Sequence, residues 1–151
     1  MIVALDHLKT MNISNNIQDA EGYLDEGNQF LAQKAFQKAL NAYARCLNCN
    51  PNMAEAYYNS GVAYHHQAKL EKAIQYYHKA LEIVPDFAEA HFNLGHAYAD
   101  ANLFNAAVAA FRQTLQLQPN NAAAAYSLGC ICQSRGDEKN AMGDFENWQS
   151  R

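Results

Sequence analysis

Three prolines, Pro51, Pro85 and Pro119, stand 34 residues apart, and the residues between them repeat. Before each proline, at one fixed offset, comes an alanine followed four residues later by an aromatic: Ala39 and Tyr43, Ala73 and Tyr77, Ala107 and Phe111. A fourth copy, Ala141 and Phe145, keeps the register, and so do Gly27, Gly61, Gly95 and Gly129. A chain with such a period stacks supersecondary units in a row instead of folding round one centre. The pattern predicts an all-α solenoid of helix–turn–helix hairpins. The register divides the chain into an N-terminal extension, 1–19, and repeats at 20–53, 54–87, 88–121 and 122–151. The extension is expected to be partly flexible or to lead into the first helix, and the fourth repeat to be truncated.

The second repeat shows how the columns work. Its first helix, A, is expected over about Met53–Gln67 and its second, B, over about Leu70–Ile83. Gly61 lies inside helix A, where glycine costs ~1 kcal/mol relative to alanine. Close approach of helix B accounts for it, with Gly61 and Ala73 small enough for the helices to touch and Tyr64 and Tyr77 filling the space around them. Ala80 leaves room for the next helix A. Pro85 has no N–H to continue helix B. Asp86 is expected to cap the next helix with Glu89 completing a capping box, and Asn52 with Glu55 to do the same one repeat earlier. Glu21, Glu55 and Glu89 then read as first-turn carboxylates, stabilised by the helix dipole.

Composition narrows the function. Half of the 151 residues are apolar, so the chain can fold. The net charge is −4 with no basic stripe, which argues against nucleic-acid binding by phosphate neutralisation. No apolar run approaches the ~20 residues that span a bilayer, so no membrane insertion is expected. Met1–Thr10 makes a poor signal peptide, because Asp6 and His7 interrupt its apolar stretch. The reading is cytoplasmic. Met11 is a second candidate start, since the ten residues before it lie outside the register.

These columns resemble the tetratricopeptide repeat family from about Ala20 onward. The glycine and Ala-x3-aromatic columns match in all four copies and the proline column in three. Another aromatic column holds Phe30, Tyr64 and Tyr98 but ends in Cys132, and the family's frequent tryptophan is replaced by Tyr23, Tyr57, His91 and Ala125. The resemblance implies a right-handed α-solenoid of about four hairpins, the last lacking a capping helix, whose A helices line a concave groove. It implies a protein–protein interaction scaffold binding a peptide or extended segment of a partner.

Helical spacing then places Leu24, Asp25, Asn28 and Leu31 in that groove from the first repeat. The second supplies Tyr58, Asn59, Val62, His65 and His66, the third Phe92, Asn93, His96 and Asp100, and the fourth Tyr126, Ser127, Cys130 and Gln133. Tyr58, Phe92 and Tyr126 form an aromatic ladder suited to anchoring a partner. Beside it runs a polar ladder of Asp25, Asn59, Asn93 and Ser127. Its asparagines either pair with the backbone of an extended peptide or hold neighbouring A helices together. Some family members clamp the C-terminal carboxylates of chaperones with Lys, Arg and Asn. Asn28 and Asn59 match the asparagine part, but Leu24, Glu89 and Asn93 stand where basic residues are wanted, which disfavours that ligand.

No enzyme chemistry is expected, and no cofactor or metal. Cys46, Cys49, Cys130 and Cys132 fall on helices separated by several layers at ~8–10 Å each, too far for one zinc shell of ~2.3 Å bonds. They read as buried, inert thiols in a reducing compartment. His65, His66, His96 and Asp100 read as a pH-sensitive polar stretch of the groove. Trp148 falls in the column of Cys46, Ala80 and Thr114, which faces the following repeat. It either covers the array's end or forms an end-face interface for self-association or another domain. Two further roles compete with the scaffold: the N-terminal repeat array of a larger glycosyl- or methyltransferase-type enzyme presenting its substrate, and a small secretion-type chaperone.

Overall fold

The structure is a computed structural model, which describes residues 2–135. Among them are seven helices and no strand: α1 (Ile2–Ala32), α2 (Phe36–Cys49), α3 (Ala54–His66), α4 (Leu70–Ile83), α5 (Ala88–Asp100), α6 (Phe104–Leu117) and α7 (Ala122–Ser134). Helices α1 and α2, α3 and α4, and α5 and α6 pack as hairpins. Each hairpin joins the next through α2 with α3, α4 with α5, and α6 with α7. The first helices of successive hairpins also touch, α1 with α3 and α3 with α5. Ala141, Phe145, Trp148 and the expected uncapped end lie outside the described residues.

The column logic becomes packing at the glycines. A Cβ on Gly61 would stand 2.7 Å from Cδ1 and Cε1 of Tyr77, and one on Gly95 would stand 2.7 Å from Cε1 of Phe111. Gly27 meets Tyr43 in the same way. Each ring lies flat against backbone that no side chain covers, and Tyr43, Tyr77 and Phe111 are buried to within 1%. Burying such a ring is worth ~1.5–3 kcal/mol, which outweighs the ~1 kcal/mol that glycine costs a helix. The alanines of the motif, Ala39, Ala73 and Ala107, are fully buried one turn before the rings. Cys46, Ala80 and Thr114, three residues after them, are fully buried too. Tyr64 packs against the same core cluster as Ala73 and Tyr77. Its ring packs against Tyr76, 5.0 Å away, with the Lys72 ammonium 5.4 Å from its centre.

The turn between A and B helices repeats a backbone conformation that no glycine announces. Lys34, Ala68 and Asn102, again 34 apart, have φ of 59°, 57° and 60°. In each turn two bonds close back on helix A. Ala68 N–H donates to the His65 carbonyl at 2.9 Å, and Lys69 N–H to the Tyr64 carbonyl at 3.0 Å. Equivalent pairs end α1 and α5. This is the Schellman closure, which favours glycine because a Cβ is strained at positive φ. Ala68→Gly is therefore expected to stabilise the protein by ~1 kcal/mol, read as a higher midpoint in denaturant.

The expected capping boxes do not form. Met53 and Phe87, not Asn52 and Asp86, occupy the N-cap positions of α3 and α5, and neither helix has a side-chain cap. The helices start one residue later than a box requires, because packing claims the cap position. The Phe87 ring sits 4.8 Å from that of Tyr58. In the same column Asn121 does cap α7, accepting from Ala124 N–H at 2.9 Å. Glu55 and Glu89 lie in first turns as expected. Glu21 does not: α1 runs unbroken from Ile2, so Glu21 is mid-helix and the dipole explanation fails for it.

Candidate peptide groove

The groove positions expected from the sequence lie on the A helices α1, α3, α5 and α7. The polar ladder is used first for holding the helices in line. Asn59 Nδ2 donates to Asn28 Oδ1 at 2.8 Å, and the Tyr43 hydroxyl donates to the same oxygen at 2.9 Å. Asn28 Nδ2 in turn reaches Glu55 Oε1 at 3.3 Å. One repeat on, Asn93 Nδ2 donates to the Tyr58 hydroxyl at 2.8 Å. Each asparagine thus fastens its helix to the A helix before it. Asp25, in the same column, is exposed, and Ser127 is half-buried.

The aromatic ladder is graded. Leu24, expected in the groove one repeat before Tyr58, is instead buried in the core with Tyr43 and Ala56. Tyr58 is half-buried, its ring 6.0 Å from Tyr77 and 4.8 Å from Phe87. Burial and the nearby Glu89 carboxylate raise its hydroxyl pKa, against the Asn93 bond, which lowers it. Phe92 is half-buried and meets Phe111 edge-on at 5.8 Å. Tyr126 is 75% exposed, the most open aromatic of the row.

The histidines separate into two environments. His65 Nε2 lies 2.7 Å from Asp100 Oδ2, linking the ends of α3 and α5. His96 packs edge-on against Phe92 and Phe111, with ring centres 4.7 and 5.0 Å away. Burial lowers its pKa and the His65 charge adds to this, while Asp100 opposes both. His66 does not join the groove. It stacks on Phe36 at 5.1 Å, beside the start of α2.

A histidine with a lowered folded-state pKa holds its proton less tightly than in the unfolded chain. Its contribution to stability is intact above the ordinary imidazole value and is lost as the pH falls through the folded value. An NMR titration of the His96 ring is expected to give a midpoint below 6.5. A midpoint above it would mean that Asp100 governs the site.

Cys46 and Cys132 are buried, and burial pushes the Cys46 thiol up to about 11, which keeps it protonated near neutral pH. Cys130 and Cys49 depart from the expectation of buried thiols: Cys130 is exposed and Cys49 half-buried. Among the described residues no three His, Cys, Asp or Glu side chains converge as metal ligands. None of the helices among them is long and apolar enough to cross a membrane.

A family model described as tetratricopeptide repeat matches residues 54–87 and 88–121, and a second, described as TPR repeat, matches 27–68. Together they span well over half of the chain. The chain belongs to the tetratricopeptide repeat family. No curated protein matches the sequence. Solved TPR structures share the fold. A crystal structure of MamA aligns with TM-score 0.81 at 22% identity, over 87% of this chain and 77% of that one. The Arabidopsis OM64 TPR domain aligns with TM-score 0.76 at 26% identity, over 78% and 98%. The first TPR of Spaghetti (RPAP3), bound to the HSP90 peptide SRMEEVD, aligns with TM-score 0.77 at 22% identity, over 80% and 95%. TPR arrays are typically non-catalytic, and membership of the family supports a protein-interaction scaffold.

Glu55 and Glu89 are the residues of this face that helix-capping logic obscured. Glu55 touches Asn28, and Glu89 acts on Tyr58. The usable signal in the sequence was the charge distribution between A and B helices, not any single motif.

Proposed function

We propose that the concave row of the A helices binds an extended segment of a partner protein. The observation that carries this reading is the aromatic row Tyr58, Phe92 and Tyr126, set one repeat apart, the first two half-buried and the third 75% exposed, with Asp25, Asn59, Asn93 and Ser127 alongside. Exposed aromatics in register are expensive to keep in water unless a partner covers them. The TPR neighbour solved with a peptide supports the same mode. That peptide, SRMEEVD, is rich in carboxylates, and the groove here has Leu24, Glu89 and Asn93 where cations would be needed to hold such a ligand. The free thiols fit a reducing compartment, and we place the scaffold in the cytoplasm on that ground.

The test is a displayed library of random peptides selected on the wild-type protein. The selected peptides are then measured against a Tyr126→Ala, Tyr58→Phe, Asn59→Ser variant, whose helicity is checked by circular dichroism. Binding is expected to weaken roughly tenfold or more, the scale of one hot-spot contact. Unchanged binding by a folded variant would move the site off this face.

A further inference from the structure

From Ala20 onward lysine and arginine are absent from the A helices of the hairpins, which carry Glu21, Asp25, Glu26, Glu55, Glu89 and Asp100. The described B helices carry the lysines and arginines, Lys38, Arg45, Lys72, Lys79 and Arg112, together with two carboxylates of α4, Glu71 and Glu82. Several of those cations are tied down on aromatic rings. Arg45 lies 4.1 Å from the ring centre of Tyr23, and Lys79 4.9 Å from that of Tyr76. Glu26 is drawn toward Arg45, at 3.9 Å. The other carboxylates have no such cation among the described residues, and several stand next to the groove's own binding groups. Glu55 is bonded to Asn28 and Asp100 to His65, and Glu89 stands in the first turn of α5, two residues after Phe87, whose ring lies 4.8 Å from that of Tyr58.

We infer that the groove is built for a segment carrying lysine or arginine. This rests on the groove reading above and goes further by naming the chemistry of the partner. A cationic side chain entering beside Tyr58 would meet a π face and the Glu89 carboxylate together, a pairing stronger than either alone. Apolar residues of the same segment would lie on Phe92 and Tyr126. An acidic segment would instead bring like charges together along the first three A helices, which disfavours it. Four A helices at ~8–10 Å spacing span roughly 30 Å, the length of about nine extended residues.

The experiment compares three fluorescent peptides of about that length, with identical leucine and tyrosine residues and either lysine, glutamine or glutamate at alternate positions. Fluorescence anisotropy is measured on the wild-type protein, on Asp25→Asn/Glu55→Gln/Glu89→Gln, and on Tyr126→Ala. Asp25→Asn introduces the residue that the next two repeats already carry at this position, so the charge variant is compatible with the fold. The lysine peptide is expected to bind tightest. It should lose roughly tenfold in affinity in the charge variant, and again when salt is raised from low to several tenths molar, because the Debye length shrinks to a few ångströms.

Equal binding of all three peptides, still lost in Tyr126→Ala, would overturn the charge inference and leave the groove. Lysine-peptide binding that neither variant changes would overturn both, since the peptide would then sit elsewhere. So would the absence of binding by any of the three.

Discussion

Phe111→Ala is expected to cost the array about 3–5 kcal/mol, the usual range for truncating a fully buried phenylalanine. The ring has no exposure, and it lies on Gly95, where a real Cβ would not fit. Alanine leaves a void bounded by helix backbone, which cannot collapse to fill it. Phe92 and His96 also lose the ring they pack against, at 5.8 and 5.0 Å. In a solenoid each repeat is held mainly by its neighbours, so α5, α6 and α7 should loosen before α1–α4. Denaturation followed by circular dichroism is expected to show a lower midpoint and a broadened transition. Hydrogen exchange should show protection lost first in the third hairpin. A loss below about 1 kcal/mol would mean that the ring-on-glycine contact does not organise the hairpin.

The same substitution at two glycines of A helices is expected to have opposite signs. Alanine is the better helix former by ~1 kcal/mol. At Gly22 nothing stands within 4 Å of the new Cβ, so Gly22→Ala should stabilise the protein by up to about that amount. At Gly61 the new Cβ would be 2.7 Å from two carbons of the Tyr77 ring, which is itself almost fully buried. The ring or the helix must shift, and overpacking of this kind costs ~1–3 kcal/mol. Gly61→Ala should therefore be destabilising in spite of its helix propensity. Chemical denaturation of the two variants checks the pair. Stabilisation in both would mean that α3 and α4 are held further apart than described.

The repeat period carried most of the fold because its columns report packing, and packing repeats. Helix α4 occupies Leu70–Ile83, the span expected from the proline and the apolar spacing. What the sequence concealed was set by contacts or backbone states that residue type does not announce. Asn52 and Asp86 have capping chemistry, but Met53 and Phe87 hold the cap positions, and the Phe87 ring is used against Tyr58. Lys34 and Ala68 take left-handed conformations without being glycine, since the closure of each hairpin requires one there. Glu21 looks like a first-turn acid only if the extension is not part of its helix, and α1 begins at Ile2.

The groove was legible as a set of positions and less so as a set of roles. Asn28 gathers Tyr43, Glu55 and Asn59, which are 15 to 31 residues away in the chain. No local pattern displays such a junction. The asparagine ladder accordingly fastens helices together, while Tyr126 and Asp25 are left exposed and Tyr58 and Phe92 half-buried. Tyr58 belongs to both, anchored by Asn93 on one side and open on the other.

The central claim is that a partner segment lies along the A helices. Its most direct test is a map of backbone amide shifts by NMR as a selected peptide is added to the 15N-labelled protein. The largest changes are expected at Asp25, Tyr58, Asn59, Phe92, Asn93, Tyr126 and Ser127, with little movement at Lys38, Tyr76 or Arg112 on the B helices. Changes concentrated on α2, α4 and α6, with the A-helix row unmoved, would contradict it.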